Sequence, residues 1–469
     1  MLKKIIQSAV HFLCFFAFWT AQSQSCPNSD NVPELDGSVC ITTKAPLNYQ
    51  EGDENTINLF VRKFPAKKDR KGSIWLIPGG PGESGASLYP LIDQFSNLFP
   101  HLDIFVPDHR GTGYSSKICP KEEIVDSPDG MALANDEWGP CFNYMYSNLE
   151  YVKAFTITNA ARDLSFLINE FSGTEERYIY GVSYGTQLVL RLLQLGTVDL
   201  DAVILDSLVP LQDDDEFDLS HRSLVTDDVG KSFLEQVDHR APNDITLEEQ
   251  LNSIIERTKT DTEFAANLPK QDLAILFGMM LDIPYVRNSI PEIIKGLNSN
   301  DYEPLQKAIT QITAFYNDYG AAYQSSTNSI PLTQVITASE NNLRPEMTKT
   351  EVIDESKDLL FKSPLPSLIA ENSMPTYSRD EHFGKTPQHI PPTLIINGTL
   401  DSKTHIKGAV RHYKRLAQNS SSISFIRVKN APHFIALFAP SAFEKVVSRF
   451  MNTKAIGNQT VSDDSLEIN

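Results

Sequence analysis

YIYGVSYGTQLVL, residues 178–190, is the stretch whose reading decides the fold. Tyr178, Ile179 and Tyr180 have the bulk and β-propensity of a buried strand. From Tyr184 the pattern turns helical and runs to Leu195, with Gly196 as a stop. Between the two lies GVSYG, residues 181–185, which fits G-x-S-x-G. A serine presented on so sharp a strand-to-helix turn needs glycine two residues to either side, because a side chain there would collide with the turn. Ser183 is therefore the candidate nucleophile. The plain alternative is a small polar residue in an ordinary strand-to-helix connection, and the rest of the chain has to decide between them.

Outward from that stretch, apolar runs of strand length occur at 57–61 (INLFV), 73–77 (SIWLI), 103–106 (DIFV) and 202–205 (AVIL). Helical patterns lie between them, at 159–171 and 184–195. Strands alternating with helices mean βαβ units and a largely parallel sheet, an α/β fold. The alternation stops after Pro210, where the acidic run DDDE at 213–216 opens a long stretch of mostly helical signals. One of these is a capping box at 246–249 (TLEE). Strand signals resume at 393–396 and 423–428, and a helix at about 441–451 closes the pattern. The expected organisation is a leader at 1–25, a first core part at 26–211, a helical insertion at 212–385, a second core part at 386–452, and a polar, fraying tail at 453–469.

A serine hydroxyl becomes nucleophilic when a histidine takes its proton, and that histidine needs a carboxylate to fix its tautomer. With a G-x-S-x-G turn the chain order is serine, acid, histidine. Asp401 ends TLIINGTLD (393–401), and His433 ends NAPH (430–433) after the next strand. Both stand just past strand C-termini, the edge where ligands bind in open α/β sheets. Asp206 is the rival acid, because it also ends a strand after Ser183. His405 is the nearest rival base, but four residues past Asp401 it should enter a helix. A developing oxyanion needs N–H donors. PGGPG (78–82) follows an early strand, and the N–H groups of Gly80 and Tyr184 are the candidate pair; Pro81 has none to give.

The chain has 469 residues and a net charge of −19, from 41 basic and 60 acidic side chains, which argues against nucleic acid or an anionic membrane as a partner. Lys3 and Lys4, the apolar run FLCFFAFW (12–19) and small residues at Ala21 and Ser23 read as a secretory signal peptide. The run is short of the ~20 residues a membrane span needs. A lipoprotein anchored at Cys26 is the weaker option, since Ser23 stands where such signals usually have Leu. A secreted or periplasmic location follows. Removing Cys14 with the leader leaves Cys26, Cys40, Cys119 and Cys141, an even set that suggests two disulfides. Of three connectivities, proximity favours Cys26–Cys40 and Cys119–Cys141. There is no C-x-x-C pair, and neither a metal nor a cofactor is expected.

Taken in order, GGPG (79–82), DHRGTGYS (108–115) and GVSYGT (181–186) resemble the proline iminopeptidase and tripeptidyl aminopeptidase family of α/β-hydrolases. The resemblance covers about residues 40–452, densest in the core and thinnest in the insertion. It implies the α/β-hydrolase fold, a mostly parallel sheet flanked by helices with a helical cap inserted. It also implies Ser183 as nucleophile, Asp401 as acid and His433 as base, acting on peptide substrates at a free N-terminus. Such an enzyme must hold its substrate's ammonium with carboxylates. Glu340, in a segment similar to part of the family's cap, and Glu83, beside the oxyanion loop, are the candidates. A carboxylesterase of the same fold is the alternative reading, because the same machinery hydrolyses esters. A binding protein that keeps the fold without catalysis is the second.

Overall fold

Ten strands among the described residues form one sheet: β1 (Gln22–Gln24), β2 (Val39–Pro46), β3 (Thr56–Phe64), β4 (Gly72–Ile77), β5 (Leu102–Asp108), β6 (Glu176–Val182), β7 (Ala202–Asp206), β8 (Thr393–Gly398), β9 (Ile423–Val428) and β10 (Gln459–Val461). The computed structural model describes residues 22–24, 26, 27, 32–49, 54–242, 244–270 and 272–468. The expected leader thus lies largely outside the described residues, while 22–24 pair antiparallel with β2.

The strand order is β1-β2-β3-β5-β4-β6-β7-β8-β9-β10. β1, β2, β3 and β5 are joined by antiparallel pairings, and every pairing from β5 through β10 is parallel. The chain leaves β4 for β5 on one side and returns to β6 on the other. The crevice beyond the C-terminal ends of β4 and β6 is therefore the topological switch point, where ligands bind in such sheets. All of β4 and the last five residues of β6 are buried, as a sheet covered on both faces requires.

Alternate residues of β4 feed opposite covers. Trp75 and Ile77 pack with the helices Ile157–Phe171 and Tyr184–Leu195. Ile74 and Leu76 pack with the helices Ile92–Leu98 and Pro440–Thr453. Between β7 and β8 the described chain is helical and has its own apolar core, which includes Phe233, Leu251, Phe277 and Ile294. The capping box forms there as the sequence predicts: Glu249 N–H donates to Thr246 Oγ1 at 3.2 Å, and Thr246 N–H to Glu249 Oε2 at 3.0 Å. No helix among the described residues is long and apolar enough to cross a membrane. Cys26–Cys40 and Cys119–Cys141 form disulfides.

The tail corrects the expectation of fraying. β10 adds to the open edge of β9, and Leu466 and Ile468 are buried. Asp463 also accepts a hydrogen bond from Ala442 N–H at 2.9 Å. Two apolar anchors in a mostly polar segment are enough to hold it down.

What positions the Ser183 turn is the close approach of the helix Tyr184–Leu195 to the end of β4. A Cβ on Gly185 would lie 2.5 Å from the carbonyl oxygens of both Ile77 and Pro78, and one on Gly181 would lie 2.6 Å from that of Gly185. Only glycine fits at either site. Gly185→Ala is expected to lower stability by about 1–3 kcal/mol, as overpacking does. The measurement is a urea midpoint shift at unchanged m-value, and an unshifted midpoint would show that the contact relaxes freely.

Candidate active site

Ser183 stands between β6 and the helix at φ 55° and ψ −124°, a backbone conformation rarely adopted by L-residues. Strain of this kind costs on the order of 1–3 kcal/mol and persists only where neighbours enforce it. Here Ser183 N–H donates to Asp206 O at 3.0 Å, and Thr186 donates to Ser183 O through both N–H (2.8 Å) and Oγ1 (2.7 Å).

Asp401 and His433 meet at the ends of β8 and β9. His433 Nδ1 lies 2.9 and 3.1 Å from the two carboxylate oxygens of Asp401. The carboxylate also accepts Lys403 N–H at 2.8 Å, Thr404 N–H at 2.7 Å and Thr404 Oγ1–H at 2.6 Å. Burial pushes the Asp401 carboxyl up, but the charge and hydrogen bond of His433 and the Thr404 donors outweigh it and hold the group down at about 2. An ionised acid on Nδ1 leaves Nε2 as the nitrogen free for chemistry.

Asp206 is an anchor. Its two oxygens accept Ile435 N–H and Ala436 N–H, each at 2.9 Å, together with Tyr180 O–H and Ser207 O–H. Ser207 Oγ in turn accepts Phe434 N–H at 2.9 Å. Burial pushes the Asp206 carboxyl up despite these donors. This set pins the residues directly after His433 and thereby aims the imidazole. His405 caps the helix Ile406–Leu416, pairs with Asp228 at 3.0 Å and stacks on Phe217.

A cavity of about 580 Å³ is lined by Ser183, His433, Gly79, Gly80, Tyr184 and Glu83, together with residues of the helical segment. The glycine loop and Glu83 are in contact: a Cβ on Gly79 would lie 3.1 Å from Glu83 Oε2 and 3.2 Å from Ser183 Cβ. Burial raises the Glu83 carboxyl, opposed by Lys403, His433, the Gly79 N–H and the Ser87 hydroxyl. Glu83 thus presents its carboxyl group to the same glycine loop as the candidate nucleophile.

Glu340 is not, and the expectation for it is corrected. Its side chain is 3% exposed and outside the cavity lining, paired to Arg191 Nη2 at 2.9 Å. Gln212 Nε2 and Tyr377 O–H, each at 2.9 Å, complete its shell. It joins the helix Ile330–Glu340 to the helix Tyr184–Leu195. Sequence reading also passed over Thr404, although a hydroxyl three residues after Asp401 has the spacing of a local side-chain-to-backbone turn. Among the described residues no group of three or more His, Cys, Asp or Glu side chains could hold a metal ion.

A sheet of this order, with a serine on a strained turn after β6 and an acid and a histidine past the ends of β8 and β9, is the α/β-hydrolase fold. Residues 72–235 match the family described as alpha/beta hydrolase fold. The serine protease Hip1 of Mycobacterium tuberculosis is 27% identical over 209 residues, covering 41% of this chain and 39% of Hip1. The tripeptidyl aminopeptidase of Streptomyces lividans is 26% identical over 208 residues, 40% of this chain and 38% of that protein. Carboxylesterase B of M. tuberculosis is 31% identical over 87 residues, 18% of this chain and 16% of its own. The matched stretch spans less than half the length of each relative. The protease and aminopeptidase relatives agree with the resemblance carried by the motifs.

Two outcomes follow from this geometry. Asp401 has its folded value depressed from 3.8 to about 2, so its stabilisation is present above the unfolded value and lost as pH falls through the folded one. Asp401→Asn should then cost on the order of 2 kcal/mol at neutral pH, and the gap to wild type in chemical denaturation should close between about pH 4 and pH 2; a gap of constant size refutes the assignment. Glu340→Gln removes one partner of a buried pair and should cost about 3–5 kcal/mol. The thermal midpoint should fall accordingly, and an unshifted midpoint would show that the pair does not hold the two helices together.

Proposed function

We propose that the protein is an exported serine peptidase that releases residues or short peptides from the free N-terminus of peptides through an acyl-enzyme. The observation that carries this reading is one cavity lined by Ser183 on its strained turn, by His433 held on Asp401, and by Glu83 against the glycine loop.

In this reading His433 Nε2 takes the Ser183 proton as Oγ attacks the carbonyl carbon. The N–H groups of Gly80 and Tyr184 receive the negative charge that builds on the carbonyl oxygen. His433 then protonates the leaving amine, and a water activated by the same nitrogen releases the acyl group. Glu83 holds the substrate's ammonium near the nucleophile, which restricts cleavage to bonds close to a free N-terminus. The helical segment at 212–385 serves as the cap: Phe315, Tyr319 and Thr337 from it line the cavity and bound the length of chain that fits. Export rests on the basic and apolar N-terminal pattern, and the two disulfides suit an oxidising compartment.

The test is a panel of aminoacyl- and tripeptidyl-arylamides, their N-acetylated forms, and p-nitrophenyl esters. Wild type should cleave the free-amine amides, with N-acetylation lowering kcat/KM by about 10–100-fold, the size of a charge-assisted hydrogen bond. Ser183→Ala should lose at least about 10⁴-fold, and Glu83→Gln should erase most of the free-amine preference. Ester turnover without any amide cleavage would make the protein a carboxylesterase. Inertness to the whole panel and to a serine-directed fluorophosphonate would make it a binding protein.

A further inference from the structure

The same cavity contains a second charged feature that the proposed mechanism leaves unused. Arg222, the first residue of the helix Arg222–Arg240, lines the cavity. Among the described residues, none holds its guanidinium in a hydrogen bond or an ion pair. Three carboxylates lie within electrostatic reach of it, namely Asp401, Asp282 and Asp218.

Each of the three is already satisfied elsewhere. Asp401 is held by His433, Thr404 and the Lys403 N–H. Asp282 pairs with Lys403 Nζ at 3.1 Å and accepts Tyr316 O–H at 3.1 Å and Ser402 O–H at 3.0 Å. Asp218 is bonded to His221, Ser220 and the Leu343 N–H. Lys403, the other cation of the cavity lining, is thus neutralised by Asp282. Arg222 is left with five N–H donors in a planar fork, no protein acceptor, and a half-buried position facing the space a substrate would fill. That fork matches a carboxylate bidentately, and such charge-assisted pairs are the strong ones at a partly desolvated site.

We infer that Arg222 is a subsite for a carboxylate of the substrate, so that the cavity takes molecules carrying an anionic group in addition to the scissile bond. Resting on the peptidase reading, this makes the preferred substrates short peptides with a free ammonium at Glu83 and a carboxylate at Arg222. That carboxylate comes either from an acidic side chain or from the free C-terminus of a very short peptide.

Three matched pairs test it: peptidyl-arylamides with Glu or Gln as the acyl residue, short free-amine peptides with a C-terminal carboxylate or amide, and mono-4-nitrophenyl glutarate against 4-nitrophenyl butyrate. The readout is the ratio of kcat/KM within each pair, which is independent of the active fraction of a preparation. For at least one pair, the wild-type ratio of carboxylate to neutral substrate should fall about 10–100-fold in Arg222→Gln and recover in part in Arg222→Lys. The first pair responding identifies a side-chain carboxylate, and the second a C-terminal one. Ratios that do not move in any pair overturn the subsite, even where amides are cleaved and the peptidase reading stands. An Arg222-dependent ratio on the ester pair without amide cleavage keeps the subsite and removes the peptidase reading. If Arg222→Gln does not fold, inhibition of wild type decides: glutarate should compete at least about 10-fold more tightly than glutaramide, and equal inhibition overturns the proposal.

Discussion

The site depends on a contact with no room in it. The helix that follows Ser183 approaches the end of β4 so closely that Gly185 faces the Ile77 and Pro78 carbonyl oxygens at a distance no side chain tolerates. That approach leaves the chain one way to turn from β6 into the helix, with Ser183 at positive φ and its hydroxyl at the sheet edge. It also places the Pro78–Gly80 loop over the turn, because the carbonyls in contact with Gly185 belong to the residues from which that loop springs. The strain at Ser183 is tolerated because β4 and β6 are buried on both faces and cannot shift to relieve it.

Around this contact, four carboxylates have four separate duties, and their environments separate them. Asp401 is ringed by donors and a histidine, and so stays ionised deep in the core. Asp206, one strand away, accepts two backbone N–H groups and two hydroxyls and holds the segment after His433. Glu340 is closed off by Arg191, Gln212 and Tyr377 and links two helices. Glu83 keeps a face to the cavity. The difference lies in which partners reach each group.

The cavity is built from two sources. The sheet edge supplies Ser183, His433 and the glycine loop, while the helical segment between β7 and β8 supplies Arg222, Phe315 and Tyr319. In the proposed reading the first set does the chemistry and the second chooses the substrate. The division is also one of construction: the first set sits at strand ends of a sheet buried on both faces, and the second belongs to a helical segment with a separate apolar core.

The core strands β3 to β9, the helices around Ser183 and the chain order of Ser183, Asp401 and His433 were legible in the sequence. Each has a local signature: an apolar run bounded by Gly or Pro, a glycine spacing, or a polar residue just past a strand. β2 and β10 were not legible, because both carry polar residues and owe their form to the neighbours they pair with. The buried place of Glu340 was equally hidden, since its partner Arg191 is 149 residues away. The open guanidinium of Arg222 depends on three other carboxylates having found partners first. The sequence by itself determined where the candidate reacting groups lie, because backbone conformation and strand order act over short stretches. Only the tertiary structure decided which charged side chains are neutralised and which still face a ligand, because charge pairing is settled by distances between segments that folding alone brings together.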